Sequence, residues 1–205
     1  MCPCRTRQLR FQKRAYALDN LKCDGIALLG SVTDKFLGDP QFEEFMQELN
    51  RSDAVVFIHP NVHSTSRQLG LKFPATLFEF LADTTRCALN LTLSRTLHRY
   101  PNSRWILSHA GGAVACHAWR WALADLSPAV KINAPNGALS YIRKFYFATA
   151  IAIALRDATG AGSRWTRSRL FGTDFPYVHG DVLEFEIQQI DELDVFDDAT
   201  RQAML

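Results

Sequence analysis

Neither a long apolar run nor a block of like charge occurs anywhere in this chain. A membrane-crossing helix needs roughly 18 or more consecutive apolar residues, so none is expected. The basic start, Met1-Cys2-Pro3-Cys4-Arg5, has no apolar stretch behind it and does not read as a signal peptide. Lys and Arg total 23 against 21 Asp and Glu, a net charge of +2. That balance gives no field strong enough to expect nucleic acid or an anionic membrane as partner. Cysteine is sparse and odd in number: Cys2, Cys4, Cys23, Cys87 and Cys116. Scattered thiols exclude a disulfide framework, and Cys2 and Cys4 lack the second pair that a zinc knuckle requires. A reducing, cytoplasmic setting is expected. Repeats and low-complexity linkers are also missing. What remains is 205 residues, 47% hydrophobic and 21% charged. These suffice for one core, so a single domain over residues 1–205 is expected, with residues 1–9 disordered.

Apolar runs and helical periodicities then alternate. Residues Arg10 to Asn20 show three- and four-residue apolar spacing and predict a helix, followed by a strand at Ile26-Ala27-Leu28-Leu29 covered on both faces. Asp39-Pro40 starts the next helix, with Asp39 as cap and Phe42, Phe45, Met46 and Leu49 as its buried stripe. Ala54 to Ile58 predicts a second strand, closed by His59-Pro60 because proline has no amide hydrogen to continue a ladder. A helix is expected from about Asp83, acting as cap, to Tyr100. Trp105-Ile106-Leu107 is the third strand, followed by Ser108-His109-Ala110-Gly111-Gly112 and a helix from Val114 to Leu126. Phe145-Tyr146-Phe147 is the fourth, with a helix beginning over Ile151 to Leu155. Arg169-Leu170-Phe171 is the fifth and ends in Gly172-Thr173-Asp174-Phe175-Pro176. Asp181 then caps a final helix containing Val182, Phe185 and Ile190.

Five strand-then-helix units require parallel strands, because each helix returns the chain to the same end of the sheet. The class is α/β. A doubly wound sheet and an eight-stranded barrel both satisfy that periodicity, but the polar residues favour the barrel. His59, His109 and Asp174 leave three different strands at the C-terminal end, where barrel enzymes gather their catalytic groups. Two imidazoles and a carboxylate on one rim are poor packing residues beside apolar strands and good ligands for zinc or a similar divalent ion. Taken singly, His59 fits equally a structural histidine bonded to a nearby carbonyl, and Asp174 fits a turn residue bonded to local amides. Gly111 and Gly112 permit close backbone approach. Glu79, Asp83 and Arg86 are read as capping and salt-bridging residues around one helix start, and His98 as solvent-facing. His63, Arg67, Phe175 and Arg143 are candidate substrate contacts, with His63 and His179 in loops near the rim.

Val56-Phe57-Ile58-His59-Pro60, Ile106-Leu107-Ser108-His109-Ala110-Gly111-Gly112 and Phe171-Gly172-Thr173-Asp174-Phe175-Pro176 occur in this order. Together they resemble the amidohydrolase-related (amidohydrolase 2) decarboxylases, the group of the aminocarboxymuconate-semialdehyde, γ-resorcylate and 6-methylsalicylate decarboxylases. The resemblance runs from Leu18 to Leu205 and includes Phe78-Glu79-Phe80, Asp83-Thr84-Thr85-Arg86 and Asn90-Leu91. It implies a distorted TIM-type (β/α)8 barrel of the metal-dependent hydrolase superfamily holding one divalent ion, usually zinc. By resemblance His59 and Asp174 are metal ligands from the barrel's fifth and eighth strands. His109, from the sixth, is the histidine acting as acid or base, and with Asp174 makes up the catalytic pair. The implied reaction is nonoxidative decarboxylation of an aromatic or unsaturated carboxylic acid, with metal-dependent hydrolysis as the neighbouring chemistry. A small-molecule acid is the implied partner and a homo-oligomer, a dimer, the implied assembly.

The sequence also departs from the family pattern. No His-x-His or Glu-x-His pair stands ahead of Ile26, so the resemblance implies that Ile26 to Leu29 is the fourth strand and that strands one to three are missing. Ala148 replaces a common Asp, and the helix after Gly112 lacks the usual proline. The rival to the enzyme reading is therefore an inactive truncated remnant that self-associates through the strand edge at Ile26 to Leu29.

Overall fold

The computed structural model describes residues 16–151, 168–192 and 198–204. Five strands form one sheet: β1 (Gly25–Leu29), β2 (Val55–His59), β3 (Arg104–Leu107), β4 (Phe145–Ala148) and β5 (Arg169–Leu170). Every neighbouring pair is parallel and the strands lie in chain order across the sheet. That order settles what periodicity left open. A doubly wound sheet reverses direction at a switch point, whereas a barrel adds each strand on the same side of the last.

The helices α1 (Glu43–Arg51), α2 (Glu79–Leu93) and α3 (Val114–Ala122) are the crossovers between successive strands, and α4 (Asp181–Glu192) and α5 (Asp198–Met204) follow β5. Asp39 accepts the Gln41 N–H at 3.0 Å and Pro40 opens a 3-10 turn that runs into α1, as its capping chemistry dictates. Met46 and Leu49 bury that helix against the sheet.

Burial alternates along the strands. Val56, Ile58, Trp105, Leu107, Phe145 and Phe147 pack among Cys87, Ala88, Leu91, Val114 and Trp121 of the helices. The opposite row, Ala27, Phe57, Ile106 and Tyr146 in register, is only partly covered, and Leu29 at its end is 44% exposed. The expectation that β1 is covered on both faces is therefore corrected: among the described residues the crossover helices lie on one side. His59, one of the candidate ligands, belongs to the less covered side, since it follows Ile58 in a two-residue alternation.

Other local expectations change as well. The segment after β1 contains a small antiparallel hairpin, Ser31–Val32 against Lys35–Phe36. Asp83 does not cap a helix. α2 starts at Glu79, and Asp83 is fully buried in its second turn, where its Oδ2 accepts the Asn61 N–H at 2.9 Å. A distant backbone donor thus claims the carboxylate that local propensity would spend on a cap, and burial raises its pKa. α2 ends at Leu93, with Arg95 at φ 68 before a further turn, Thr96–Arg99. His98 is partly buried, and its Nδ1 shares a hydrogen bond of 3.0 Å with the Tyr141 hydroxyl; it does not simply face solvent. Of the expected first helix, Tyr16–Asn20 is a π-helical turn and the remainder lies outside the described residues. The helix expected over Ile151 to Leu155 also lies outside them, apart from Ile151. No helix among the described residues is long and apolar enough to cross a membrane.

Candidate active site at the strand ends

His59 is the last residue of β2. Its Nδ1 lies 2.9 Å from the Pro60 carbonyl, which can only accept, so Nδ1 carries the hydrogen and Nε2 is left bare in the neutral ring. Nε2 faces Asp174 Oδ1 at 3.7 Å. This is too long for a hydrogen bond. It is about the separation subtended by two bonds of roughly 2.1 Å to a single ion. The carboxylate is not consumed by its own turn either: the Tyr177 and Val178 N–H groups donate to the Asp174 backbone carbonyl, and Phe175 N–H to Thr173 Oγ1.

The strand β3 continues into a sharp left-handed turn in which His109, Ala110, Gly111 and Gly112 all have positive φ (49, 51, 74 and 61°). Glycine accepts that geometry freely, whereas alanine does not. The turn aims His109 back over the strand ends. Its Nδ1–H donates to the Ala150 carbonyl at 3.1 Å. Its Nε2 is buried and has no partner among the described residues. Burial holds this imidazole below its ordinary pKa of 6.5, against the opposing pull of the Ala150 carbonyl and the Asp174 charge. One nitrogen is thus tied to a carbonyl and the other is a desolvated, unpartnered lone pair beside His59 and Asp174.

Ligand atoms of His59, His109 and Asp174 all lie within 4.8 Å of one another. The structure therefore brings together the three residues on which the sequence reading converged. Two nitrogens and one carboxylate oxygen form a donor set that suits a borderline divalent ion; if His59 and Asp174 alone held the ion, the unpartnered His109 Nε2 would stay available as an acceptor.

Two contributors are not evident from sequence. Phe80, one residue into α2, sets its ring 5.7 Å from His59 and 6.2 Å from His109, walling the site with an apolar face. Glu186 on α4 is 3% exposed, and its Oε1 accepts the Ile151 N–H. Burial raises its pKa, and the Asp174 charge adds to that. On the same helix Val182 and Phe185 are 52% and 58% exposed, so the acid is buried where two apolar neighbours are not. The side chain of Ile190 lies outside the described residues.

Among the candidate substrate contacts, His63 is occupied structurally. It caps the turn Ser64–Gln68 by accepting from Thr65 N–H, and stacks on Phe36 at 5.4 Å. Arg143 sits between the turn Ala138–Ile142 and the start of β4, the sheet end away from the site. Phe175, beside Asp174, is 68% exposed at the rim, and Arg67 is exposed in the turn after His63. His179 is exposed in the loop between Phe175 and α4.

The glycines of the His109 turn carry a testable cost. A Cβ on Gly112 would stand 2.3 Å from the Leu81 carbonyl oxygen of α2 and 2.7 Å from Thr85 Oγ1, the atom that accepts the Ala113 N–H. Gly112→Ala is expected to lose on the order of 3 kcal/mol of stability, from backbone strain and overpacking together. Urea denaturation checks this, and a loss below about 0.5 kcal/mol, the range of a neutral surface change, would show that the close approach to α2 is not needed.

Comparison with known proteins agrees with this geometry. The amidohydrolase family model matches residues 11–205. The chain is 33% identical over 183 residues to 6-methylsalicylic acid decarboxylase acuB of Aspergillus aculeatus, covering 85% of this chain and 55% of that protein. It is 29% identical over 191 residues to decarboxylase macB of Penicillium terrestre, covering 88% and 56%. The chain thus spans about half the length of the curated relatives it matches. Among solved structures, an amidohydrolase II superposes with a TM-score of 0.81 at 22% identity, covering 95% of this chain and 62% of the other. The 5-carboxyvanillate decarboxylase LigW of Sphingomonas paucimobilis gives 0.78 at 18% identity, covering 94% and 58%. The superpositions identify the sequential parallel sheet as an arc of a TIM-type barrel, and the family match, which runs over almost the whole sequence, makes the chain a member of the amidohydrolase family.

Proposed function

We propose that this chain carries the reaction centre of a metal-dependent nonoxidative decarboxylase acting on an aromatic carboxylic acid. The observation that carries the reading is the buried, unpartnered Nε2 of His109 beside the His59–Asp174 pair. His59 and Asp174 would hold the divalent ion, and His109 would carry the proton. Zinc is our first choice, because imidazole and carboxylate donors suit it; a dihydroxybenzoic acid decarboxylase of Polaromonas, a structural neighbour, has bound manganese. A held ion supplies positive charge that polarises the oxygens of a bound acid.

Decarboxylation replaces a carbon–carboxylate bond by a carbon–hydrogen bond: the bond pair stays on carbon, carbon dioxide leaves, and one proton must arrive at that carbon. The Nε2 lone pair is suited to take up and hand on that proton, since Nδ1 stays tied to Ala150. Phe80 offers the substrate ring an apolar wall and Phe175 a rim contact. Relatives bear the name 6-methylsalicylic acid decarboxylase, and 2,6-dihydroxybenzoate decarboxylase is solved with 2,6-dihydroxybenzoate; benzoic acids with an ortho oxygen are therefore the first substrates to try. A single domain, a cytoplasmic location and a homodimer complete the proposal, supported by the free thiols of Cys23, Cys87 and Cys116 and by the edge strand β1.

The test loads the purified chain with Zn2+ or Mn2+, measures bound metal, and follows carbon dioxide release from 6-methylsalicylate and 2,6-dihydroxybenzoate. Bound metal with carbon dioxide release is expected. Metal bound with ester or amide cleavage and no carbon dioxide would replace the reading by hydrolysis. No metal, no turnover and a self-associated chain would replace it by the inactive remnant.

A further inference from the structure

Among the described side chains of α4, Glu186 alone is buried, on a helix whose Val182 and Phe185 are exposed. A carboxylate at a position that amphipathic packing would give to leucine must gain something from a specific partner. Its Oε1 accepts the Ile151 N–H, and the other end of that same peptide group, the Ala150 carbonyl, accepts the Nδ1–H of His109 at 3.1 Å. One amide therefore links the acid to the imidazole. Ile151 has φ 53. For a β-branched residue that is an outlier, of the kind that persists only where surrounding contacts hold it.

We propose that Glu186 is a positioning residue for His109, acting through the Ala150–Ile151 peptide group. A carboxylate on the N–H end polarises the amide and makes its carbonyl a stronger acceptor. A stronger acceptor at Nδ1 holds the hydrogen there, keeps Nε2 bare toward the site, and stabilises the ring when it takes up a proton. A carboxylate in direct contact with histidine does the same in metal and acid–base sites; here a peptide group stands between the two. The inference rests on His109 as proton carrier.

The experiment reads the tautomer directly and needs no turnover. Long-range proton–nitrogen NMR on the full 205-residue chain, labelled with 15N-histidine, is recorded at pH 8. The His109 signal among six histidines is assigned by its loss in His109→Asn. Wild type is expected to show a protonated Nδ1 and a bare Nε2. Glu186→Ala is expected to bring in the Nε2–H tautomer. Glu186→Gln keeps an acceptor oxygen but loses the charge, and should retain the tautomer while the Ile151 amide proton moves upfield. A bare Nδ1 in wild type, an unchanged tautomer in folded Glu186→Ala, or an unmoved Ile151 amide in Glu186→Gln overturns the proposal. If Glu186→Ala does not fold, the Glu186→Gln shift decides alone. A chain that shows these shifts yet releases no carbon dioxide sinks the decarboxylase reading and leaves the relay standing.

Discussion

His109→Asn is expected to slow carbon dioxide release by about 100- to 10,000-fold, the range that a positioned proton carrier contributes, while bound metal stays at the wild-type level. Asparagine is the informative replacement. It tolerates the left-handed backbone that His109 adopts at φ 49, and its amide nitrogen can take over the donor position of Nδ1 toward the Ala150 carbonyl. What it lacks is the Nε2 lone pair, which is buried and unpartnered in the wild type. A loss of rate with metal retained separates proton transfer from ion binding. Measuring release and metal content on one preparation checks it. A variant within tenfold of wild type would remove His109 from the chemistry, and a parallel loss of metal would make it a ligand instead.

The second large effect concerns the ion. Asp174→Asn is expected to weaken binding of Zn2+ by more than the roughly 10- to 100-fold that the loss of an outer hydrogen-bond partner costs, because it neutralises the only carboxylate in the three-residue cluster. Asparagine again suits the backbone, since Asp174 sits at φ 60, and Tyr177 and Val178 close the turn on the backbone carbonyl whatever the side chain. The fold should survive. A competitive chelator titration gives the affinity ratio. His59→Ala should show a loss of similar order, and the double variant should lose less than the two single losses combined, because residues that share one ion do not act independently. Unchanged affinity in both single variants would move the ion elsewhere.

Much of this was legible before any coordinates. The alternation of short apolar runs with helical stripes identified five parallel strands, and the residues closing three of them, His59, His109 and Asp174, meet at one rim. Local signals of this kind survive folding because they depend on neighbours in the chain: proline after His59, the Asp39-Pro40 cap, the glycines after His109. The errors fall where a distant group decides. Asp83 reads as a cap, yet the Asn61 N–H draws it into the interior. Nothing local marks Phe80 as a wall of the site, yet its ring lies 5.7 Å from that of His59 and 6.2 Å from that of His109. Nothing local marks Glu186, yet it is buried and accepts the Ile151 N–H while Val182 and Phe185 on the same helix are exposed.

By itself, then, the sequence determined the α/β class, the strand ends and the identity of the three convergent residues, since periodicity and chain punctuation are short-range properties of a backbone with few allowed conformations. Only the tertiary structure decided that the strands run in barrel order, that His109 keeps its hydrogen on Nδ1, and that Glu186 reaches it through one amide. Those facts depend on which backbone donor or acceptor lies opposite a side chain after residues 35 or 41 positions apart have come together, and no local pattern records that pairing.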